Sequence, residues 1–196
     1  MLVLASGSAH RAALLRQAGV AFEVDPARIS ERDVERPLVE ADLPPEDVAA
    51  VLAEAKALDV GERRTGDHVL GADQILSLDG AILHKVDDMD GARRRLLQLS
   101  GRTHHLHSAL SLAHEGEVVW RHVSSAAMTM RALDPGFVGR HLAQAGDGVL
   151  GSVGAYQIEG VGVQLFEQVE GDWSAVIGLP LLPLLAELRR HELIDG

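Results

Sequence analysis

The hydrophobic positions alternate between short apolar runs and stretches with helical spacing. Short buried strands are predicted at residues 2–5 and 22–24. Between them, residues 11–18 carry apolar side chains at the 3.6-residue period of a helix. A second helix is predicted at residues 44–61, because two prolines and two acidic residues open it and apolar residues follow at helical spacing. The first third of the chain therefore alternates strands with helices.

The rest of the chain predicts a long antiparallel arrangement and further helices. The dipeptide Asp79-Gly80 is typical of a two-residue hairpin turn. The remaining predicted strands are residues 69–78, 81–85, 103–113, 118–130, 161–169 and 173–177, and the remaining predicted helices are residues 88–99, 134–145 and 181–193. Residues 25–43 are polar and charge-rich, and we expect either a loop over a cleft or a loosely ordered segment there. This order of elements predicts an α/β (α+β) fold with a mixed central sheet flanked by helices.

The composition excludes several classes of function. The length of 196 residues predicts a single domain, residues 1–196. The 29 acidic residues outnumber the 18 lysines and arginines, and a net charge of −11 argues against a nucleic-acid-binding surface. The chain has no cysteine, which excludes disulfides and thiolate metal sites.

The chain carries no pattern of a targeting or membrane segment. Its N-terminus has no basic region, and its apolar stretch ends after five residues, unlike a signal peptide. The longest apolar run, residues 175–186, is too short to span a bilayer. We therefore expect a cytoplasmic protein that does not enter the membrane.

The turn Ser6-Gly7-Ser8-Ala9-His10-Arg11 follows a strand and opens a helix. Backbone N–H groups and the helix dipole favour anions at such a turn, and two hydroxyls with Arg11 can complete a phosphate cradle. The spacing is neither that of a P-loop nor that of a Rossmann fingerprint. The alternative is an ordinary turn in which Ser8 caps the helix and Arg11 lies in water.

Asp73 is an acidic residue within an otherwise apolar strand. Such a carboxylate is paired, bound to a metal, or placed at a strand end facing a cleft. Lys56 and Lys85 are either partners of anions or ordinary surface lysines, and for Glu31 a solvated carboxylate is the default. The sequence thus offers one candidate for binding a cation or orienting a water, with its partners left open.

Two other segments leave alternatives open. His104, His105 and His107 are either zinc ligands or residues of a solvated strand, and no second cluster of ligands accompanies them. The loop Gly154–Gly160 contains the single tyrosine of the chain, and its glycines permit either a tight bend or a close approach to a ligand. A serine hydrolase triad is rejected, because no G-x-S-x-G elbow is present.

Seven segments together resemble the Maf family of nucleoside triphosphate pyrophosphatases. Residues 4–15 (LASGSAHRAALL) are similar to the family signature L-A-S-x-S-P-R-R-x-x-L-L, and residues 71–74 (GADQ) match its G-[AS]-D-[TQ] strand. The other matching segments are residues 52–57, 83–86, 100–104, 154–160 and 176–180. They occur in the family order and cover nearly the whole chain.

The resemblance implies a fold akin to the inosine-triphosphate pyrophosphatases, with a central cleft and usually a homodimer. It also implies a reaction: a nucleoside triphosphate is cleaved between its α and β phosphates, giving a monophosphate and pyrophosphate. A divalent cation, Mg²⁺ or Mn²⁺, is the implied cofactor. The implied partner is therefore a small-molecule nucleotide rather than nucleic acid or a membrane.

The resemblance also implies roles for single residues. Asp73 takes the general-base position and, with Glu31, a metal-binding position, and Lys85 is a further catalytic position. The implied substrate-binding residues are Ser6, Ser8, Arg11, Lys56, Gln74, Gln157 and Glu159. Three cations and a metal suit phosphoryl-type transfer, which requires charge neutralisation and positioning more than covalent help.

The chain departs from the family pattern at three positions, the first of which is Ala9 in place of a proline. His10 replaces an arginine, so a fixed charge becomes a titratable imidazole, and Val86 replaces the proline after Lys85. Gln74 and Glu159 favour the 7-methyl-GTP branch of the family, whereas Gly154-Ala155-Tyr156 favours the dTTP/UTP branch. The alternative function is a nucleotide-binding regulator of cell division, or septum formation, with little or no turnover.

Overall fold

The computed structural model describes residues 1–195 and contains a mixed sheet with helices on both faces. Its strands are β1 (Leu2–Leu4), β2 (Glu23–Val24), β3 (His68–Leu78), β4 (Ala81–Leu83), β5 (Thr103–His114), β6 (Glu117–Met130) and β7 (Phe166–Glu170). The strand order is β2-β1-β3-β5-β6-β7, with β4 paired to β3. Strand β1 pairs in parallel with β2 and β3, and the other pairings are antiparallel. The predicted fold class is confirmed.

The helices connect the strands along the chain. They are α1 (Ala9–Gln17), α2 (Glu31–Glu40), α3 (Pro45–Gly61), α4 (Met89–Leu99), α5 (Pro135–Ala145), α6 (Trp173–Ile177) and α7 (Leu181–Arg190). Two short 3-10 turns, Asp147–Gly151 and Val161–Leu165, lie between α5 and β7. No helix within residues 1–195 is long and apolar enough to cross a lipid bilayer.

Strand β3 directs alternate side chains toward different helices. Leu70 and Ala72 pack in a buried cluster with residues of α1 and α7, whereas Ile75 packs in a cluster with α3. Because successive side chains of a strand point to opposite faces, Asp73 shares the α3 face with Ile75. The alternation of the strand therefore points the Asp73 carboxylate toward α3.

Gly71 allows α3 to lie unusually close to β3. A Cβ atom at this position would lie 2.0 Å from the carbonyl oxygen of Ala53 and 2.7 Å from the backbone nitrogen of Ala57. Only a residue without a side chain fits between the strand and the helix at that distance. Since Lys56 precedes Ala57 on α3, the close approach also brings its side chain to Asp73.

We expect Gly71→Ala to destabilise the protein, because the added methyl group pushes α3 away from the sheet. Overpacking of this kind costs about 1–3 kcal/mol, occasionally more. In a chain of this size each kcal/mol lowers the melting temperature by roughly 2–4 °C. Thermal unfolding followed by circular dichroism measures the effect. Gly61→Ala is the matched control, because open space surrounds that last residue of α3. Equal melting temperatures for the two variants would contradict the packing argument.

The segment predicted as a loop, residues 25–43, contains helix α2. Ser30 caps this helix by accepting a hydrogen bond from the Asp33 N–H at 3.4 Å. Val34 and Leu38 pack against the cluster of α3. The prediction of a loop was wrong. Helix α2 buries no residue fully and contains Pro37, so its apolar signal was the i, i+4 pair Val34 and Leu38 among charged residues.

Two predicted strands near the C-terminus were also wrong. Residues 161–165 form a 3-10 turn, and only Phe166–Glu170 pair in the sheet. Trp173–Ile177 form helix α6, which begins after Asp172 and ends at Gly178. The Asp172 carboxylate accepts hydrogen bonds from two backbone N–H groups, and Gly178 adopts the left-handed conformation of a helix C-terminus. A short apolar run cannot be assigned by periodicity alone, and these two caps were the available signal.

Candidate active site

A cavity of about 730 Å³ opens where β1 ends and α1 begins. This volume lies within the roughly 300–1,000 Å³ typical of small-molecule sites. The cavity is lined by eight of the predicted site residues, which are Ser6, Ser8, Arg11, Glu31, Lys56, Asp73, Gln74 and Lys85. The structure thus gathers, in one place, residues that are spread over 80 positions of the sequence.

The N-terminal turn is held by Arg11. The Arg11 guanidinium donates to the Ser6 hydroxyl and to the Ala72 carbonyl, both at 2.9 Å, and to the Gly178 carbonyl at 2.9 Å. Ser8 caps α1 by accepting from the Arg11 N–H at 3.4 Å. Arg11 therefore joins the turn to β3 and to the C-terminus of α6, so the alternative in which Arg11 lies in water is wrong, although Ser8 does cap the helix.

Burial lowers the pKa of Arg11, and the negative charges of Asp73 and Glu31 oppose this effect. A guanidinium remains protonated throughout the physiological pH range, because its ordinary pKa is above 12. Arg11 thus supplies a fixed positive charge at the wall of the cavity. Such a group is suited to an anion with oxygen atoms, and most of all to a phosphate.

Lys56 lies between two carboxylates at the floor of the cavity. Its ammonium donates to Asp73 Oδ1 and contacts Glu31 Oε1, each at 2.6 Å. The side chains of Lys56 and Asp73 are only 9% and 8% exposed, whereas that of Glu31 is 59% exposed. Lys56 is therefore no surface lysine, and Asp73 is a buried and paired carboxylate, one of the three alternatives that its strand position allowed.

The charges around Glu31 keep it ionised although it packs against the cavity wall. Burial alone would raise the pKa of Glu31, but the hydrogen bond from Lys56 and the charges of Lys56, Lys85 and Arg11 together hold that pKa below its ordinary value. Lys85 follows β4, is exposed and also lines the cavity. Asp73 and Glu31 therefore share the cavity with three cationic side chains, those of Arg11, Lys56 and Lys85.

The donor set of the cavity floor fits a divalent cation that also binds a substrate. Mg²⁺ is usually held by one or two carboxylates together with substrate phosphates rather than by a full protein cage. Asp73 and Glu31 offer two carboxylates that both contact the Lys56 ammonium, which shows that the region between them attracts positive charge. Within residues 1–195, no three His, Asp or Glu side chains stand at the spacing of a complete metal site.

The histidines of β5 are not zinc ligands. His104 is fully buried, and its Nε2 lies 2.7 Å from the Tyr156 hydroxyl. His107 is hydrogen-bonded to Ser77 and to Ser125 through its two ring nitrogens. The solvated-strand alternative is wrong for both residues, because they are buried, and the zinc alternative finds no cluster of three ligands within residues 1–195.

Gln74 ties β3 to helix α6. Its side-chain nitrogen lies within 3.1 Å of the Ser108 hydroxyl and of the carbonyl oxygens of Ala175 and Val176. The side chain also lines a recess of about 40 Å³ that shares a wall with the main cavity. The amide is thus fixed by α6, the element that the sequence reading assigned to the sheet.

The loop Gly154–Gly160 closes this recess, and Glu159 lines it. The Glu159 carboxylate pairs with His10 Nδ1 at 2.8 Å, and the Gln157 amide nitrogen lies 3.3 Å from His10 Nε2. Gln157 also donates to the Gly148 carbonyl at 3.2 Å. His10 therefore joins two of the predicted substrate-binding residues to the start of α1.

Tyr156 and His104 anchor the same loop from below. Burial raises the pKa of Tyr156, and burial lowers the pKa of His104 to about 4. The smaller effects on His104 come from the positive charges of His105 and Arg95. At neutral pH both groups are uncharged, which a dry hydrogen bond between them requires.

We expect the free energy of unfolding to fall as the pH drops from about 6.5 toward 4. In that range the unfolded chain binds a proton at His104 that the folded chain does not, so stability rises with pH there. The shift in pKa corresponds to up to about 3 kcal/mol. Urea unfolding at several pH values measures the slope. His104→Gln, which keeps a partner for Tyr156, should flatten it, whereas exposed His105→Gln should not. An unchanged slope in His104→Gln would exclude His104 as the cause.

Sequence reasoning missed two residues at the entrance of the cavity. The Glu35 carboxylate is 17% exposed and pairs with His84 Nε2 at 3.1 Å. Both residues line the cavity, one from α2 and one from the segment after β4. The available signal was the spacing of Glu31 and Glu35, which places both on one face of a helix. It was missed because α2 was predicted as a loop.

Comparison with known proteins agrees with this geometry. Residues 1–191 match the family model described as Maf-like protein. Proteins from Mesorhizobium japonicum and Brucella abortus are 60% and 58% identical over 195 residues, and one from Rhizobium meliloti is 52% identical over 196. Each alignment covers 100% of this chain and 98% of the relative, and each relative is named 7-methyl-GTP pyrophosphatase. On the family model and on these full-length similarities, the chain belongs to the Maf family.

Proposed function

We propose that this Maf enzyme hydrolyses 7-methyl-GTP between the α and β phosphates, giving 7-methyl-GMP and pyrophosphate. The observation that carries the proposal is the buried Asp73 carboxylate held by Lys56 at the floor of a cavity lined with cations. A protein that only binds nucleotides has no need of a buried carboxylate beside the phosphates. The name shared by the three relatives supports the choice of base.

In this proposal the phosphates bind along the wall formed by the N-terminal turn and the lysines. The hydroxyls of Ser6 and Ser8 and the cations Arg11, Lys56 and Lys85 face the negative charges. A divalent cation such as Mg²⁺ or Mn²⁺, bound by Asp73 and Glu31, would supply further neutralisation of the phosphates. Fixed charges of this kind stabilise a phosphoryl-transfer transition state without covalent catalysis.

The Asp73 carboxylate acts as the general base. A water molecule loses a proton to Asp73 as its oxygen bonds to the α-phosphorus, and the bond from that phosphorus to the bridging oxygen breaks. The electron pair of the broken bond leaves with pyrophosphate, and the proton passes from Asp73 to solvent. The Lys56 ammonium, 2.6 Å from Asp73 Oδ1, keeps the carboxylate in position for this proton transfer.

The remaining predicted residues contact the nucleoside. Gln74 and Glu159 line the recess, and Gln157 contacts His10 beside it, so a base would lie where the recess joins the main cavity. We propose in addition that the enzyme is a homodimer, as the family resemblance implies, and that it takes free nucleotides rather than nucleic acid. The net charge of −11 supports the second point.

The test is pyrophosphate release from a panel of nucleotides with Mg²⁺ or Mn²⁺. The panel contains 7-methyl-GTP, GTP, dTTP, UTP and CTP, and each reaction is also analysed for the matching monophosphate. Fastest release from 7-methyl-GTP supports the proposal, and fastest release from dTTP or UTP would assign the other branch. Binding without any release would instead favour the regulator. Hydrolysis in ¹⁸O-labelled water should place the label in 7-methyl-GMP, and label in pyrophosphate would contradict attack at the α-phosphorus.

A further inference from the structure

We propose that His10 is a positioning residue for base recognition: it links Gln157 to Glu159 and so aims an uncompensated carboxylate at the edge of the base. The inference rests on the proposed function for the identity of the base. It goes further by giving a role to the residue that departs most from the family signature.

The contacts of His10 require a side chain that both accepts and donates. The Gln157 amide nitrogen, at 3.3 Å from His10 Nε2, has only hydrogens to offer, so Nε2 accepts. His10 Nδ1, at 2.8 Å from Glu159, then carries the proton and donates to the carboxylate. A neutral imidazole satisfies both contacts at once. An arginine cannot, because a guanidinium has no acceptor atom.

A neutral imidazole leaves the charge of Glu159 uncompensated. The hydrogen bond from His10 uses one carboxylate oxygen, and the second oxygen remains available beside the recess, since the side chain is 38% exposed. Guanine presents two parallel N–H donors on its Watson–Crick edge, which match the two oxygens of a carboxylate. Methylation at N7 adds a positive charge to the same ring, and that charge is attracted by an uncompensated carboxylate.

The surroundings fix Glu159 well enough to discriminate between bases. The recess has apolar walls, including Leu106, Val176 and Ile177, which suit the faces of a flat ring. Tyr156 lies within the Gly154–Gly160 loop, and because it is buried and bonded to His104, it anchors the backbone three residues before Glu159. His10 adds the contact that orients the Glu159 side chain itself. An arginine at position 10 would neutralise Glu159 and repel a cationic base.

The test measures binding, so that it does not depend on turnover. Calorimetry gives the dissociation constants of 7-methyl-GMP and of GMP for the wild-type protein and for four variants. His10→Arg and Glu159→Gln should each lower the preference for the methylated nucleotide by tenfold or more. His10→Gln, whose amide can accept and donate, should retain most of it. Glu117→Gln is the matched control for net charge, because that exposed residue at the start of β6 lies outside both cavities.

The double variant His10→Arg/Glu159→Gln separates positioning from a direct contact. If His10 acts only through Glu159, the double variant shows the same preference as Glu159→Gln alone. Melting temperatures identify any variant that has lost its fold. A preference within twofold of wild type in both His10→Arg and Glu159→Gln would overturn the inference. A wild-type protein that shows the preference but releases no pyrophosphate would overturn the proposed function and leave this inference standing.

Discussion

Asp73→Asn is expected to lower kcat for pyrophosphate release by about 10²–10⁴-fold, the usual contribution of a general base. Asparagine has nearly the same shape and still offers an oxygen to the Lys56 ammonium. It cannot take a proton from water, because an amide is not basic. The loss should therefore appear in kcat, whereas nucleotide binding, measured by calorimetry, should be retained. Steady-state kinetics with 7-methyl-GTP and a pyrophosphate assay provide the measurement.

Asp42→Asn is a suitable control for this variant. Asp42 is exposed and has a φ of 54°, a conformation that asparagine adopts readily, so the same chemical change should have no effect there. Release of pyrophosphate at the wild-type rate by Asp73→Asn would exclude Asp73 as the base. Loss of binding together with turnover would instead indicate that Asp73 organises the cavity rather than reacting with water.

The sequence predicted the strands and helices with strong periodicity. The hairpin of β3 and β4 at Asp79-Gly80, the long strands β5 and β6 and helix α3 all formed as expected. Their signals are local, because turn residues and apolar spacing act within a few positions. Helix α2 was missed because its apolar residues are few and lie among charges, and helix α6 because its five residues are too few to show a period.

The contents of the site were predicted better than their arrangement. Asp73 was recognised as a carboxylate that needs a partner, but spacing alone gave no reason to choose Lys56 among the lysines. The choice depends on Gly71, which lets α3 approach β3 and sets the two side chains on facing surfaces. A glycine within an apolar strand is a signal of close backbone approach, and that signal was available.

The contacts of His10 with Gln157 and Glu159 could not be predicted from any sequence pattern. The sequence showed that His10 replaces an arginine of the family signature, but it gave no partner for the imidazole. In the structure the ring faces the Gly154–Gly160 loop, 147 residues away in the chain. Contacts at that separation depend on how the β6–β7 region folds back over α1, which local propensity does not encode.

Lys56→Met should cause the largest loss of stability among the site variants. Removal of one partner of a buried ion pair costs about 3–5 kcal/mol, because the other charge is left buried without compensation. The melting temperature should therefore fall by roughly 10 °C in a chain of this size. Activity should fall as well, since the phosphates lose a cation. Thermal unfolding in the presence of a chelator gives the stability, and pyrophosphate release gives the activity.

Lys85→Met separates the contribution of a lysine to phosphate binding from the contribution of a buried ion pair to stability. Lys85 is exposed and forms no ion pair within 4 Å in residues 1–195, so its loss should lower activity with little change in melting temperature. Equal melting temperatures for Lys56→Met and Lys85→Met would show that the buried ion pair does not stabilise the fold.

A second substitution tests whether the lost stability of Lys56→Met comes from the stranded charge of Asp73. When both partners of a buried pair are replaced by neutral groups, most of the penalty disappears, because no charge remains to be desolvated. Lys56→Met/Asp73→Asn should therefore melt above Lys56→Met while remaining inactive. Mg²⁺ should raise the melting temperature of Lys56→Met more than that of the double variant, because only the single variant keeps both carboxylates. Equal rises in melting temperature on adding Mg²⁺ would argue that Asp73 and Glu31 do not bind the cation together. The only interaction left to the two carboxylates would then be their ion pairs with Lys56.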